Sequence, residues 1–263
     1  MSEATLPIGW IELALAGALV LIPAGCSLAL RLGLGRQLLV ATVRCVVQLL
    51  AVGYVLEYVF ALERPWGVAL VATVMLAAAA HTVLGRVHVR YRGAVVDTFL
   101  GLSVSAVAIL ALTLAAVVRP DPWWSPRYTI PFLGMLLGNT MNGLSLGLGA
   151  WLESVRDQRE RIESLLAAGA TRWEAAREGV ATAIRRGLTP VLNAMAAAGL
   201  VSLPGMMTGQ ILAGNDPALA VRYQLVIMFL IGATTSIGTL GVVLLAWRRL
   251  FDREHRLRLD RLR

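Results

Sequence analysis

In a chain of 263 residues, 57% hydrophobic and only 15% charged, there is too little polar surface to cover a water-soluble globule. The net charge of +8 comes from arginine alone, because the chain contains no lysine. That excludes the phosphate-binding loop G-x-x-x-x-G-K-[ST], so any ATP chemistry belongs to another chain. The arginines cluster in alternate connections, which is the mark of membrane topology and not of nucleic-acid binding. Cys26 and Cys45 fall in different apolar blocks and suggest neither a disulfide framework nor a thiolate site.

Seven blocks approach or exceed the ~18 apolar residues of a spanning helix. They are Ile8–Leu30, Gln37–Phe60, Trp66–Leu84, Thr98–Val118, Thr129–Trp151, Gly187–Ala213 and Tyr223–Trp247. The predicted fold is all-α, a single polytopic membrane domain over residues 1–263. Arg86, Arg90 and Arg92 flank one connection, seven arginines lie in Glu153–Arg186, and seven more lie in the tail 248–263. The positive-inside rule therefore places those three segments and the C-terminus in the cytoplasm, and the N-terminus outside. The first block resembles a lipoprotein signal at Pro23-Ala-Gly-Cys26, but it lacks a basic start, carries Glu3 and Glu12, and continues past Cys26.

Within the first block, Pro23 predicts a kink. The second carries Arg44 and Gln48 on one helical face, with Glu57 further along. An arginine in hydrocarbon costs at least ~2.5 kcal/mol, so Arg44 either snorkels to the interface or pairs with Glu57 or Asp97. His81 closes the alanine-rich third block as an interface residue or a lone ligand. The connection Arg119–Tyr128, with Pro120, Pro122, Trp123, Trp124 and Pro126, reads as a rigid turn anchored by aromatics.

The fifth block, TIPFLGMLLGNTMNGLSLGLG, contains G-x-x-x-G twice, at Gly134/Gly138 and Gly143/Gly147, which invites close helix packing. Asn139, Asn142 and Ser145 form a polar stripe that either bridges helices or lines a solvated path. The sixth block breaks at Pro204-Gly205 and continues as MMTGQ, so Met206, Met207, Thr208 and Gln210 are candidate path residues, with an ordinary proline kink as the alternative. In the last block, Thr234, Thr235, Ser236 and Thr239 either satisfy carbonyls or line the same path.

The one long polar run is Glu153–Arg186. Val155, Ile162, Leu165, Leu166 and Gly169 fall along one helical stripe, and Asp157/Arg161 and Arg159/Glu163 are spaced for i,i+4 pairs. Gly169 is placed to end a helix, and Thr171-x-x-Glu174 forms the capping box that starts the next. The expectation is a cytoplasmic helix–turn–helix, either gripped by a soluble partner or simply a solvated loop.

The runs TIPFLGMLLGNTMNGLSLGL, IESLLAAGAT and GLVSLPGMMTGQILAG with YQLVIMF resemble the FetB-type permease family, membrane subunits of an iron-exporting ABC transporter. The likeness is densest from Thr129 to Phe229 and extends more loosely over RQLLVATVRCVVQLLAVGYVL. It implies an ATPase partner of the FetA type, a homodimer in a bacterial inner membrane, and iron or a related metal as cargo. Plant members are linked with aluminium tolerance and with a nucleotide sugar. Glu163 and Gly169 also keep the separation of the coupling motif E-A-A-x-x-x-G of ABC importers, although Ser164 and Leu165 replace its alanines. On that likeness Glu163, Gly169, Thr171 and Glu174 would couple to the ATPase, no catalytic or cofactor residue lies on this chain, and ATP sits on the partner. The histidines are scattered and supply no metal-ligand spacing. Two other classes remain open from the residues: an ion-coupled transporter or channel using Arg44, Glu57 or Asp97, and a membrane scaffold.

Overall fold

A computed structural model describes residues 9–62, 64–252 and 254–262. Ile8, where the first predicted block begins, and Arg253 and Arg263 of the tail lie outside the described residues. The described chain is helical throughout: α1 Trp10–Ala18, α2 Leu21–Ala29, α3 Gly35–Leu62, α4 Pro65–Arg86, α5 Ala94–Leu112, α6 Pro126–Asp157, α7 Arg159–Ala167, α8 Arg172–Ala197, α9 Gly205–Leu212 and α10 Pro217–Leu250. Five spans are long and apolar enough to cross a membrane: Trp10–Ala29, Gly35–Phe60, Pro65–Arg86, Ala94–Val118 and Pro217–Leu250. Neither α6 nor the α8–α9 pair is among the five. Helix α6 carries amides and glycines, and α8 begins in the polar run.

Helix α6 is the axis of the packing. Leu144, Leu148, Trp151, Leu152 and Val155 on it are fully buried, against Val83 of α4, Leu102 of α5, Val180 of α8 and Val242 of α10. The second G-x-x-x-G explains how the helices come so close. A β-carbon at Gly143 would stand 2.6 Å from the Thr235 methyl and 2.9 Å from the Gly187 carbonyl, and one at Gly147 2.8 Å from the Thr239 methyl. The first G-x-x-x-G does not do this work: a β-carbon at Gly138 meets nothing within 4 Å, and one at Gly134 meets only the Met75 methyl at 3.4 Å. Thr234, Thr235 and Thr239 are buried in the same crossing, with the Thr140 and Thr235 hydroxyls 3.3 Å apart. Only Ser236 satisfies a carbonyl, that of Gly232 at 2.8 Å, whereas the buried Thr234 and Thr239 hydroxyls have no partner among the described residues.

The first three helices bury little against the rest. Among the described residues from 9 to 60, only Ser27 and Val59 are buried. The break in the first span falls at Leu19-Val20, and Pro23 sits in the first turn of α2, where its missing N–H costs nothing.

Two expectations about the sixth block are corrected. The chain leaves the helix after Ala197, not at Pro204, because Gly199 takes φ +86° and its N–H turns back to the Ser202 carbonyl. Pro204 instead precedes the first turn of α9, where its fixed φ suits the entry. MMTGQ, offered as the continuation beyond a break, lies within the regular helix α9.

Candidate translocation groove and helix–turn–helix corner

The polar run forms the corner expected of it. Helix α7 ends in a Schellman turn, with the N–H of Gly169 (φ +92°) on the Leu166 carbonyl at 3.1 Å and that of Ala170 on Leu165 at 3.0 Å. Thr171 then caps α8: its hydroxyl oxygen accepts the Glu174 N–H at 3.3 Å, and the Glu174 carboxylate accepts the Thr171 N–H at 2.8 Å. Those bonds from Thr171, backbone first, hold the Glu174 carboxyl below its usual range. Arg159 pairs with Glu163 at 2.9 Å as its spacing requires. Arg161 does not pair with Asp157. It reaches across the turn to Glu178 on α8, while Asp157 meets its neighbour Arg156. The apolar stripe is also only half internal, since Val155 and Ile162 are buried but Leu165 is exposed. With Trp173, Leu165 gives the outside of the corner an apolar surface.

Beyond the corner, α6 presents one uncovered face along its length. At the end near the corner is a cavity of about 480 Å³ lined by Arg86, His88, Glu153, Arg186 and Thr189. Glu153 and Arg186, the two ends of the polar run, are thus folded back onto one site. Asn142 lies exposed just above it and accepts a 2.6 Å hydrogen bond from Arg86 Nη1. Asn139, a turn further, is exposed and donates back to its own helix at the Met135 carbonyl. Ser145 likewise bonds to Met141. At the far end a second cavity, of about 470 Å³, is lined by Arg127, Tyr128, Met135, Met206, Gln210 and Asn215. Within it the buried Gln210 Oε1 has no partner among the described residues.

The predicted path residues therefore divide. Met206 and Gln210 line the far cavity, and Asn139 and Asn142 lie exposed on the face of α6 between the two cavities. Met207 and Thr208 are half-buried on α9 and do not line the far cavity, and the Thr208 hydroxyl bonds back to Pro204. Arg86 and Arg186 bring positive charge to the near cavity, with His88 beside them, and Arg127 brings it to the far one, groupings that no sequence spacing signals. Replacing Asn142 with leucine removes the amide from the groove and an exposed partner from Arg86. We expect stability to change by less than ~1 kcal/mol while transport falls sharply. Thermal unfolding beside solute flux in liposomes checks this; normal flux with easier unfolding would make Asn142 a packing residue.

Asp97 is not the partner of Arg44. It is 2% exposed at the start of α5, takes both Arg249 Nε and Nη2, and accepts the Tyr91 hydroxyl at 2.9 Å. Burial, and then the Asp97 carboxylate, push the Tyr91 phenol above its usual range, so it remains a donor. Arg44 and Glu57 are both exposed on α3, with no ion pair between them. Among the described residues no group of three His, Cys, Asp or Glu side chains could hold a metal ion, and His81 stands alone and exposed.

The tail folds back over these elements. Arg172, the first residue of α8, donates its N–H to His255 Nδ1 at 2.9 Å and a guanidinium N–H to the Asp252 carbonyl, and its own carbonyl takes the Trp247 indole N–H. Further on, the Arg92 N–H bonds to the Arg261 carbonyl at 2.9 Å. No sequence signal marks these contacts.

Five long apolar spans, a core of close-packed small residues and an exposed polar face on α6 define a multi-pass α-helical membrane protein. The chain belongs to the Uncharacterised protein family (UPF0014), which it matches over residues 10–251. It is 38% identical over 261 residues to the UPF0014 membrane protein slr1647 of Synechocystis sp. (strain ATCC 27184 / PCC 6803 / Kazusa), covering 98% of this chain and 99% of that protein. It is 31% identical to the Probable iron export permease protein FetB of Escherichia coli (strain K12), over 94% of this chain and 93% of that one. To Protein ALUMINUM SENSITIVE 3 of Arabidopsis thaliana it is 30% identical, over 95% and 90%. No solved structure matches it. The likeness to FetB spans nearly the whole chain, as expected from the dense match over Thr129 to Phe229 and the looser one before it.

Proposed function

We propose that this chain is the membrane-spanning permease subunit of an ABC transporter that exports iron or a related metal from the cytoplasm, with ATP bound and hydrolysed on a separate subunit of the FetA type. The observation that carries the reading is mechanical. Helices α6 and α8, which flank α7 on either side of the corner, also line the near cavity, so a subunit gripping α7 can move the walls of that cavity directly. At 1.5 Å per residue, the 32 residues of α6 reach ~48 Å, well beyond a ~30 Å hydrocarbon core, and leave the corner outside it. Arginine placement puts the corner and tail in the cytoplasm and the N-terminus outside. The bacterial inner membrane is the matching location, with residues 1–263 acting as one domain.

Amides exposed at mid-membrane are costly against lipid. A second copy closing the groove relieves that cost, which supports a homodimer. The cargo then meets amide oxygen and thioether from Asn139, Asn142, Gln210 and Met206, a set suited to brief passage and not to tight storage. The runner-up, an ion-coupled transporter, loses its most buried candidate charge, because Asp97 is already neutralised by Arg249.

The test is reconstitution with and without the ATPase subunit, following iron movement and ATP hydrolysis together. Movement that requires the ATPase and ATP is expected, and movement without either would favour the ion-coupled reading. In the same assay, Gly169→Val should cut transport per ATP by about tenfold, because a β-branched residue resists φ +92° and the partner loses its differential grip. Full transport by that variant would make the corner a surface loop.

A further inference from the structure

On the face made by α5 and α10, away from the polar groove, an open furrow of about 360 Å³ runs between the helices. No residue of α6 lines it. Leu100, Val104, Ile237 and Leu244 form its walls, and Gly241 opens its floor, since a β-carbon there would meet nothing within 4 Å. It is apolar for most of its length and changes character at one end, where Trp247 and Arg248 line it. Arg248 is exposed and has no ion pair among the described residues, whereas the adjacent Arg249 turns inward to Asp97. Two arginines in sequence thus have opposite fates, one spent on a buried carboxylate and one left at the mouth of a furrow.

We propose that this furrow is a binding site for one anionic glycerophospholipid, its acyl chain lying along Val104, Ile237 and Leu244 and its phosphate on Arg248. The charge and the apolar length both argue for that occupant. An apolar trough ending in a tryptophan and an unpaired arginine matches a molecule with a hydrocarbon tail and a negative head at the membrane surface. A helix from another protein would supply the tail contact but leave Arg248 desolvated without an anion. Trp247 also makes the site consequential. Its ring packs edge-on to Trp173 at 5.2 Å and lies under the Arg172 guanidinium at 5.4 Å. The wall of the lipid site is therefore in contact with the first turn of α8, and occupancy bears on how firmly the corner is held. The site depends on the membrane-spanning fold and stands whether or not the chain moves iron.

The experiment is native mass spectrometry of the detergent-purified protein, titrated with phosphatidylglycerol and with phosphatidylcholine of identical acyl chains. We expect one phosphatidylglycerol retained per chain in preference to phosphatidylcholine. Arg248→Gln, a change at an exposed side chain, should lower that preference by about fivefold. Gly241→Leu, which fills open space, should remove retention of both lipids while leaving helical content unchanged. An Arg248→Gln protein with undiminished preference would overturn the proposal. So would a Gly241→Leu protein that keeps its lipid, or one that loses a second protein copy instead.

Discussion

Replacing Gly143 with alanine is expected to cost about 2–3 kcal/mol, although it adds a single methyl group. The new carbon would lie 2.6 Å from the Thr235 methyl and 2.9 Å from the Gly187 carbonyl oxygen. The methyl could turn aside, but the carbonyl belongs to the backbone of α8 and cannot move without shifting that helix. Gly149, six residues along α6, provides the control, because a β-carbon there meets nothing within 4 Å. Alanine at Gly149 should leave stability unchanged or raise it by roughly 0.5–1 kcal/mol through better helix propensity. Thermal unfolding of both variants in detergent makes the comparison at constant chemistry. Equal midpoints would mean that the crossing of α6, α8 and α10 is looser than the structure shows.

Arg249→Met should destabilise the protein by about 2–3 kcal/mol, toward the lower end of the cost of orphaning a buried charge because Arg249 itself is partly exposed. Asp97 would keep only the Tyr91 hydroxyl. The methionine preserves much of the arginine's length, so lost packing contributes little. Adding Asp97→Asn to the variant removes the orphaned charge and should recover part of the loss, giving a coupling energy of at least ~1 kcal/mol in a double-mutant cycle. Additive effects would show that the pair is incidental and that Arg249 works only by packing beside Gly93.

What could be read in the sequence was set by the range of the interactions involved. The turn at Gly169, the box at Thr171 and Glu174 and the Arg159–Glu163 pair depend on residues at most five apart, and each forms as its spacing implies. Arg161 obeyed a different rule, because folding the corner brought Glu178 nearer than Asp157. The break in the sixth block was placed at the residue with the strongest reputation for breaking helices, Pro204. The true exit is at Gly199, whose positive φ has no unique signature among the small residues that precede it. Amides at Asn139 and Asn142 announced a polar face, since lipid would not tolerate them unaided. Nothing announced Arg86 and Arg186 beside them, nor Arg249 against Asp97, because residues so distant in sequence carry no mark of their pairing. The five apolar spans were plain from hydropathy alone, while α6, the helix that organises the core, is the one diluted by glycine and amide.

The contacts of the tail impose an order on the making of the protein. Tyr91 and Arg92 leave the ribosome early, yet the strand-like bridge to Leu262 and the bond to Arg261 can close only after some 170 further residues have been added. A shorter delay, of 83 residues, applies to Arg172, whose N–H waits for His255. Until then the first turn of α8 lacks one of its fastenings, and Arg249 has yet to reach Asp97. A nascent chain thus carries an unfinished corner, and the finished form appears only when the last dozen described residues have docked. The surface that the corner offers is in this way completed late in synthesis, by the position of a few hydrogen bonds along the chain.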